Sequence, residues 1–273
     1  MNMIVDGRAI AQKIKESLKN EVLDLSEPVE LSIIVVGDNS VTDTFVSAKE
    51  RFAKDIAVTF TKKIFAKDAT TEELISYIEE VSKSVHGVVV QLPLPMHIAT
   101  DEVLAAIPID KDIDLLNSAT FERFVSNKGS FIPPVAGAVL AILDEYNVSV
   151  ANKKVAVIGK GKLVGLPVQK VLETRGGEVI VLDTKTDSTD FKKILSEADI
   201  IVSGAGVPNL IQPDMVKKGV VLIDAGTSST GGSVTGDIAN ECVENALVFS
   251  KTPGGVGPLT VAILFENLLA ASQ

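Results

Sequence analysis

Short apolar runs punctuate the chain: LSIIVVG (31–37), GVVVQLP (87–93), KVAVIG (154–159), EVIVLD (178–183), DIIVSGAG (199–206) and GVVLIDAG (219–226). Each is nearly continuous in Val, Ile and Leu rather than alternating with polar residues. Strands buried on both faces of a parallel sheet read this way. Between the runs, apolar residues recur at helical spacing over 42–54, 71–83, 164–175 and 190–197. Strand alternating with helix predicts an α/β protein with right-handed crossovers. The N-terminal MNMIVDGRAIAQKIKESL reads as a short strand, a turn at Asp6-Gly7 and an amphipathic helix.

The rhythm breaks over 107–135, where IPIDKDIDLLNS and NKGSFIPP are loop-rich. This places a boundary near 116. After KTPGGVGP comes a final helix, LTVAILFENLLAAS, expected to return to the first block. The predicted organisation is two α/β domains with a cleft between them. Residues 1–116 plus 259–273 form one, and 117–258 form a Rossmann-like, parallel-sheet nucleotide-binding domain.

Composition narrows the chemistry. Lys+Arg 26 against Asp+Glu 36 gives a net charge of −10, which argues against non-specific nucleic-acid or anionic-membrane binding. A single cysteine, Cys242, excludes an internal disulfide. With only His86 and His97 besides, a Cys/His metal cluster cannot be assembled, so no metal is expected. No basic leader precedes an apolar stretch, and no apolar run reaches the ~18 residues of a membrane-spanning helix. A cytoplasmic location is the default expectation.

Two places carry candidate chemistry. The first is VIGKGKLVGLP (157–167), where Gly159, Gly161 and Gly165 read G-x-G-x-x-x-G, one residue longer than the common dinucleotide fingerprint. It lies between a strand and a helix, as that motif requires. Glycines let backbone N–H groups approach a pyrophosphate, and the helix N-terminus favours its charge. The next strand ends at Asp183, where an acidic side chain typically bonds a ribose hydroxyl.

The second is Lys49, four residues after Phe45 and on the same helix face. Most lysines are solvated. This one lies in the first helix after a strand's carboxyl end, where α/β sheets place ligands. Burial there would favour the neutral amine and lower its pKa. Gln91, at the end of GVVVQ, can both donate and accept. Asp114 in KDID suits a polar N–H edge. Taken alone, Gln91 also reads as a strand-end cap, and Asp112 and Asp114 as a solvated turn.

Together these stretches resemble the methylenetetrahydrofolate dehydrogenase/cyclohydrolase family. VGDNSVTDTFVSAKERFA is similar to its V-G-x-x-x-x-S-x-x-Y-V-x-x-K segment, with Thr42 at the serine, Phe45 at the tyrosine and Lys49 at the lysine. GVVVQLPLP matches its Q-L-P-L-P run, and PIDKDID resembles P-x-K-D-V-D, with Leu115 where a glycine follows. GKGKLVGLP resembles its G-x-S-x-x-V-G-x-P turn, extra residue included. IDAGTSS, TGDI and TPGGVGPLTVAILFEN resemble its late signatures, while SFIPPVAGAV carries Ile132 and Pro133 at the Cys and Thr of a C-T-P-x-G motif.

The resemblance implies oxidation of 5,10-methylenetetrahydrofolate to the 5,10-methenyl form, then hydrolysis to 10-formyltetrahydrofolate. Such an enzyme would serve one-carbon metabolism and purine biosynthesis. The alternative is a dehydrogenase alone. By position, Lys49, Gln91 and Asp114 would be catalytic, and Phe45, Gln91, Leu92, Pro93, Asp114, Gly254, Gly255 and Pro258 would line the folate. Gly159, Lys160, Gly161, Val164, Gly165, Asp183, Thr184, Lys185, Gly204 and Thr227 would hold the coenzyme. Asp183 would repel a 2′-phosphate and favour NAD, whereas Lys160, Thr184 and Lys185 could receive it. The resemblance tilts the expectation to NADP. A homodimer acting on tetrahydrofolate derivatives is the implied assembly.

Overall fold

A computed structural model describes residues 2–37, 40–230 and 233–273. The elements in chain order begin with β1 (Met3–Ile4), α1 (Gly7–Leu23), β2 (Glu30–Val36), α2 (Ser40–Asp55), β3 (Thr59–Phe65), α3 (Thr71–Val81) and β4 (Gly87–Val90). Three helices follow, α4 (Thr100–Ala105), α5 (Ser118–Val125) and α6 (Pro134–Glu145). Next come β5 (Lys154–Ile158), α7 (Gly165–Thr174), β6 (Glu178–Leu182), α8 (Ser188–Glu197), β7 (Ile200–Ser203) and β8 (Val220–Asp224). The chain closes with β9 (Ser228–Thr230), β10 (Ser233–Thr235), β11 (Ala246–Ser250) and α9 (Val256–Ala271). No helix among the described residues is long and apolar enough to cross a membrane.

Packing divides the chain into two compact units. One comprises Gln12–Pro133 and Val261–Gln273, the other Met1–Ala11 and Pro134–Thr260. The division thus falls at 133/134, and the point near 116 lies inside the first unit. The reason is local. Asn117 caps α5 by accepting from the Ala119 N–H, and its amide donates to the Ile107 carbonyl at 2.9 Å. Asn267 of α9 then holds Ile132 through both its N–H and its carbonyl, and also donates to the Ile113 carbonyl.

The lysine-bearing unit (12–133 with 261–273) has a parallel three-stranded sheet in the order β3-β2-β4. β4 is buried along its whole length, as its unbroken Val run predicts. β3 was not evident in the sequence. Its TFTKKIF alternates, carries two lysines and pairs on one side only, as edge strands do. Phe265 of α9 stacks on Phe52 of α2 at 4.8 Å, which contributes about 1 kcal/mol beyond area burial.

The turn-bearing unit (1–11 with 134–260) has a six-stranded sheet, β1-β11-β8-β7-β5-β6, parallel at every pairing. Its strand runs bury nearly every side chain in the middle of the sheet, with β7 and β8 buried throughout. β11, whose ALVFS is short, fills the gap between β1 and β8. At the N-terminus Asp6 accepts from the Arg8 and Ala9 N–H groups, so the expected turn doubles as the cap of α1.

Candidate active site

Lys49 is positioned by α2, one turn after Phe45, whose ring is exposed. The Lys49 Nζ donates to Gln91 Oε1 at 3.0 Å. Gln91 follows β4, and its Nε2 donates to the Leu92 carbonyl at 3.1 Å. The amide is therefore held at both ends, with its oxygen towards the lysine. Leu92 and Pro93 continue from it through a cis peptide bond.

Asp114 completes this group. Burial pushes the Lys49 amine below its ordinary pKa, and the negative charge of Asp114 acts in the opposite direction. Burial likewise raises the Asp114 carboxyl, opposed by the charge of Lys49. Each group is thus closer to its neutral form than a solvated one, and each supports the other's charge. Such a pair can exchange a proton with a bound reactant at little cost.

The loop that carries Asp114 is built on Asp112. Here the structure departs from the reading of Asp112 as a solvated turn residue. It is fully buried, with Oδ1 accepting from the Leu116 N–H at 3.1 Å and Oδ2 from the Asn117 N–H at 2.9 Å. Burial raises its pKa to about 6 against those two donors. Lys111 fastens the same loop by donating to the Ser82 and Val85 carbonyls. Leu115 adopts a left-handed φ of +53°, which favours glycine. A leucine in this conformation costs roughly 1 kcal/mol relative to a glycine.

The coenzyme candidates gather in the other unit, at the carboxyl ends of its strands. Gly159, at φ +97°, follows β5 and lies against the backbone of Gly204, where a Cβ would come within 2.7 Å of the Gly204 carbonyl oxygen. A Cβ on Gly165 would strike the carbonyl of Gly159, and one on Gly204 would strike Val164. These glycines are therefore obligatory for the turn itself. Gly161 differs, because nothing lies within 4 Å of the position its Cβ would occupy. Val164 offers no capping side chain to α7. The turn thus presents an open position at Gly161 and a helix N-terminus without a side-chain cap, which fits a pyrophosphate.

Asp183 follows β6, and Thr184 and Lys185 are exposed beside it. The Asp183 carboxylate accepts from the Lys185 N–H at 2.8 Å, and its own N–H donates to Thr186 Oγ1. Lys160 is exposed on the glycine turn, and Thr227 follows β8. Gly254, Gly255 and Pro258 belong to this unit as well, after β11. Gly255 leaves no room for a Cβ above Ser250, and Gly7 packs against its carbonyl.

Sequence reasoning passed over the buried carboxylates. Asp112 lies two residues from the chosen Asp114 in KDID, and periodicity cannot say which of the two faces inward. Asp224 and Asp237 occur in the quoted IDAG and TGDI stretches and are also fully buried. An acid beside a small residue at a strand end was the available signal.

A parallel-sheet unit with a glycine turn at its strand ends, joined in one chain to an α/β unit carrying a desolvated lysine, defines a class: a nucleotide-dependent enzyme with its own acid–base group. Residues 5–114 match the catalytic-domain model of tetrahydrofolate dehydrogenase/cyclohydrolase, and residues 133–273 match the NAD(P)-binding-domain model. The chain belongs to the tetrahydrofolate dehydrogenase/cyclohydrolase family. It is 34% identical over 277 residues to the bifunctional protein FolD of Campylobacter hominis, covering 99% of this chain and 97% of that protein. The crystal structure of the bifunctional FolD methylenetetrahydrofolate dehydrogenase/cyclohydrolase of Campylobacter jejuni superimposes with a TM-score of 0.95 at 32% identity, covering 99% and 98% of the two chains. The Trypanosoma brucei dehydrogenase-cyclohydrolase, complexed with NADP and an inhibitor, gives 0.94 at 30% identity over 98% and 96%.

Proposed function

We propose that this protein oxidises 5,10-methylenetetrahydrofolate to 5,10-methenyltetrahydrofolate with NAD(P)+ and hydrolyses the product to 10-formyltetrahydrofolate. The observation that carries the second reaction is the Lys49 amine, lowered in pKa by burial and held by Gln91 beside Asp114. The coenzyme supplies a hydride acceptor for the first.

Oxidation removes a hydride from the one-carbon bridge, and both flanking nitrogens stabilise the cation left behind. No strong protein base is needed, so positioning dominates. Asp114 accepts hydrogen bonds from the N–H donors of the pterin edge, and the exposed Phe45 ring stacks on the pterin face. Leu92 and Pro93 wall the same side.

In hydrolysis, water adds to the methenyl carbon and loses a proton. The added hydroxyl then gives up its remaining proton and becomes the formyl carbonyl as the bond from that carbon to N5 breaks; N5 takes up one proton, the formyl group stays on N10, and one proton is released overall. Lys49 relays these protons. Gln91 keeps the Nζ lone pair aimed and limits its motion. Asp114 supports the ammonium form when the lysine has taken a proton.

Gly159, Lys160, Gly161, Val164, Gly165, Gly204 and Thr227 hold the coenzyme, with Asp183, Thr184 and Lys185 at the ribose end. Lys160 and Lys185 favour the 2′-phosphate of NADP, and the tethered Asp183 carboxylate weakens that preference. We read the working form as a cytoplasmic homodimer that takes reduced folates and no nucleic acid, in keeping with its net negative charge.

The test is to add methenyltetrahydrofolate to the purified protein without coenzyme and follow its near-ultraviolet absorbance. Decay well above the buffer rate is expected. Decay at the buffer rate would leave a dehydrogenase only.

A further inference from the structure

Two carboxylates of the turn-bearing unit take no part in the chemistry above, yet both are buried, Asp224 at 1% exposure and Asp237 at 0%. Asp237 Oδ2 accepts from Ser203 Oγ at 2.7 Å, the Ala205 N–H at 2.7 Å and the Gly206 N–H at 3.2 Å. Its Oδ1 accepts from the Val207 N–H at 2.8 Å. One side chain thereby gathers the whole loop that leaves β7. Asp224 Oδ1 accepts from the N–H groups of Gly226 and Asp237, and its Oδ2 from that of Ile238. The Asp224 carbonyl accepts from Thr252 Oγ1 at 3.0 Å.

The neighbouring glycines are shaped to this pair. A Cβ on Gly226 would strike the Asp237 carboxylate, and one on Gly236 would strike that of Asp224. D-A-G at 224–226 and G-D at 236–237 therefore operate as one device. Every donor named here is neutral, and among the described residues no salt bridge involves either carboxylate. Burial, with the charge of Asp237 added, pushes Asp224 up to about 6 despite its N–H donors. Burying such groups is costly unless they are fully hydrogen-bonded. What they secure is a set of loops at strand ends that cannot pair with another strand.

Those loops carry residues assigned above to the ligands. The 203–207 loop carries Gly204, whose backbone packs against Gly159 of the glycine turn. The 224–227 segment carries Thr227, and Thr252 ties in the loop of Gly254. Further bonds tighten the same set, from the Ala225 N–H to the Ser203 carbonyl and from Ser228 Oγ to the Gly206 carbonyl.

We propose that Asp237, supported by Asp224, is a positioning residue for the coenzyme: it fixes the 203–207 loop, and through Gly204 the glycine turn, without touching the ligand. The inference rests on the coenzyme reading given above.

Two measurements on the full-length protein test it: NADPH binding by the coenzyme's own fluorescence, and methenyltetrahydrofolate hydrolysis with no coenzyme present. Asp237→Asn keeps the size of the side chain but turns one acceptor into a donor facing N–H groups. It is expected to raise the NADPH Kd and the coenzyme KM about tenfold or more, since a buried donor set loses its acceptor. The dehydrogenase kcat at saturating coenzyme should change less than about threefold, and coenzyme-free hydrolysis less than about twofold. Should Asp237→Asn not fold, Ser203→Ala decides, with a rise of about threefold in Kd and hydrolysis unchanged. An unchanged Kd in a folded variant, or an equal fall in hydrolysis, overturns the proposal. Wild-type protein that binds neither NADPH nor NADH would remove the coenzyme reading and this inference with it. Wild-type binding matched by the variants removes the inference alone.

Discussion

The Asp224–Asp237 cluster and the Lys49–Asp114 pair handle buried charge in opposite ways. In the turn-bearing unit, Asp237 accepts four hydrogen bonds and Asp224 three, and both act as fixed staples for backbone. In the lysine-bearing unit, Lys49 has Gln91 as its hydrogen-bond partner and shares its burial with Asp114. A saturated carboxylate has little left to offer a reactant, whereas an undersupplied amine is poised to bind or move a proton. The comparison separates a cluster that fixes backbone from a pair that can react through its side chains.

Breaking the backbone cradle is expected to have the largest effect. Gly165→Ala would drive a methyl group into the Gly159 carbonyl and reshape the turn. Steady-state kinetics should show dehydrogenase kcat/KM down by about 100-fold, as for misplacements of order 1 Å. Methenyl hydrolysis without coenzyme should persist, and joint loss of both would blur the distinction between the units. Asp183→Ser should shift the NADP-to-NAD ratio of kcat/KM towards NADP by about tenfold, because a carboxylate no longer faces the 2′-phosphate. An unchanged ratio would remove Asp183 from the ribose site.

The reacting unit can be sharpened through pH. Asp114 raises the Lys49 pKa, so Asp114→Asn should lower it further. The rise of hydrolysis with pH should then move to lower pH in the variant, and a shift to higher pH would contradict the pairing. The smallest expected effect belongs to Asp112. Its folded pKa of about 6 lies above the ordinary carboxyl value, so the native state binds the extra proton. Its contribution to stability is therefore greatest at acid pH and is lost as pH rises through about 6. Between pH 5 and 7.5 this amounts to about 1 kcal/mol. Asp112→Asn should flatten the urea-unfolding profile over that range, and an unaltered profile would place the titration elsewhere.

How much of this was legible in the sequence follows the same division. Continuous Val and Ile runs announce strands buried on both faces, and β2, β4, β5, β6, β7 and β8 appear where those runs lie. The edge strand β3 has no such run. Helix α6, PVAGAVLAILDE, is apolar on nearly every face, so it lacks the periodicity that marks an amphipathic helix. Lys49 and Gln91 were legible because Gln91 directly follows a strand and Lys49 lies on the first helix after one, positions with a chemical expectation attached. Asp112, Asp224 and Asp237 were not, because their partners are backbone N–H groups brought close by the fold. Short spacing gives no sign of which aspartate turns inward, and the reason for Gly226 and Gly236 appears only once the carboxylates beside them are in place.

The account stands most directly on the amine of Lys49. Lys49→Met, which keeps the length and apolar stem, should be assayed in one preparation for both reactions. Loss of a proton-relaying group should lower methenyl hydrolysis by about 100-fold or more, with hydride transfer to NAD(P)+ reduced less than about tenfold. Equal losses in the two reactions, or hydrolysis that survives the substitution, would contradict the assignment.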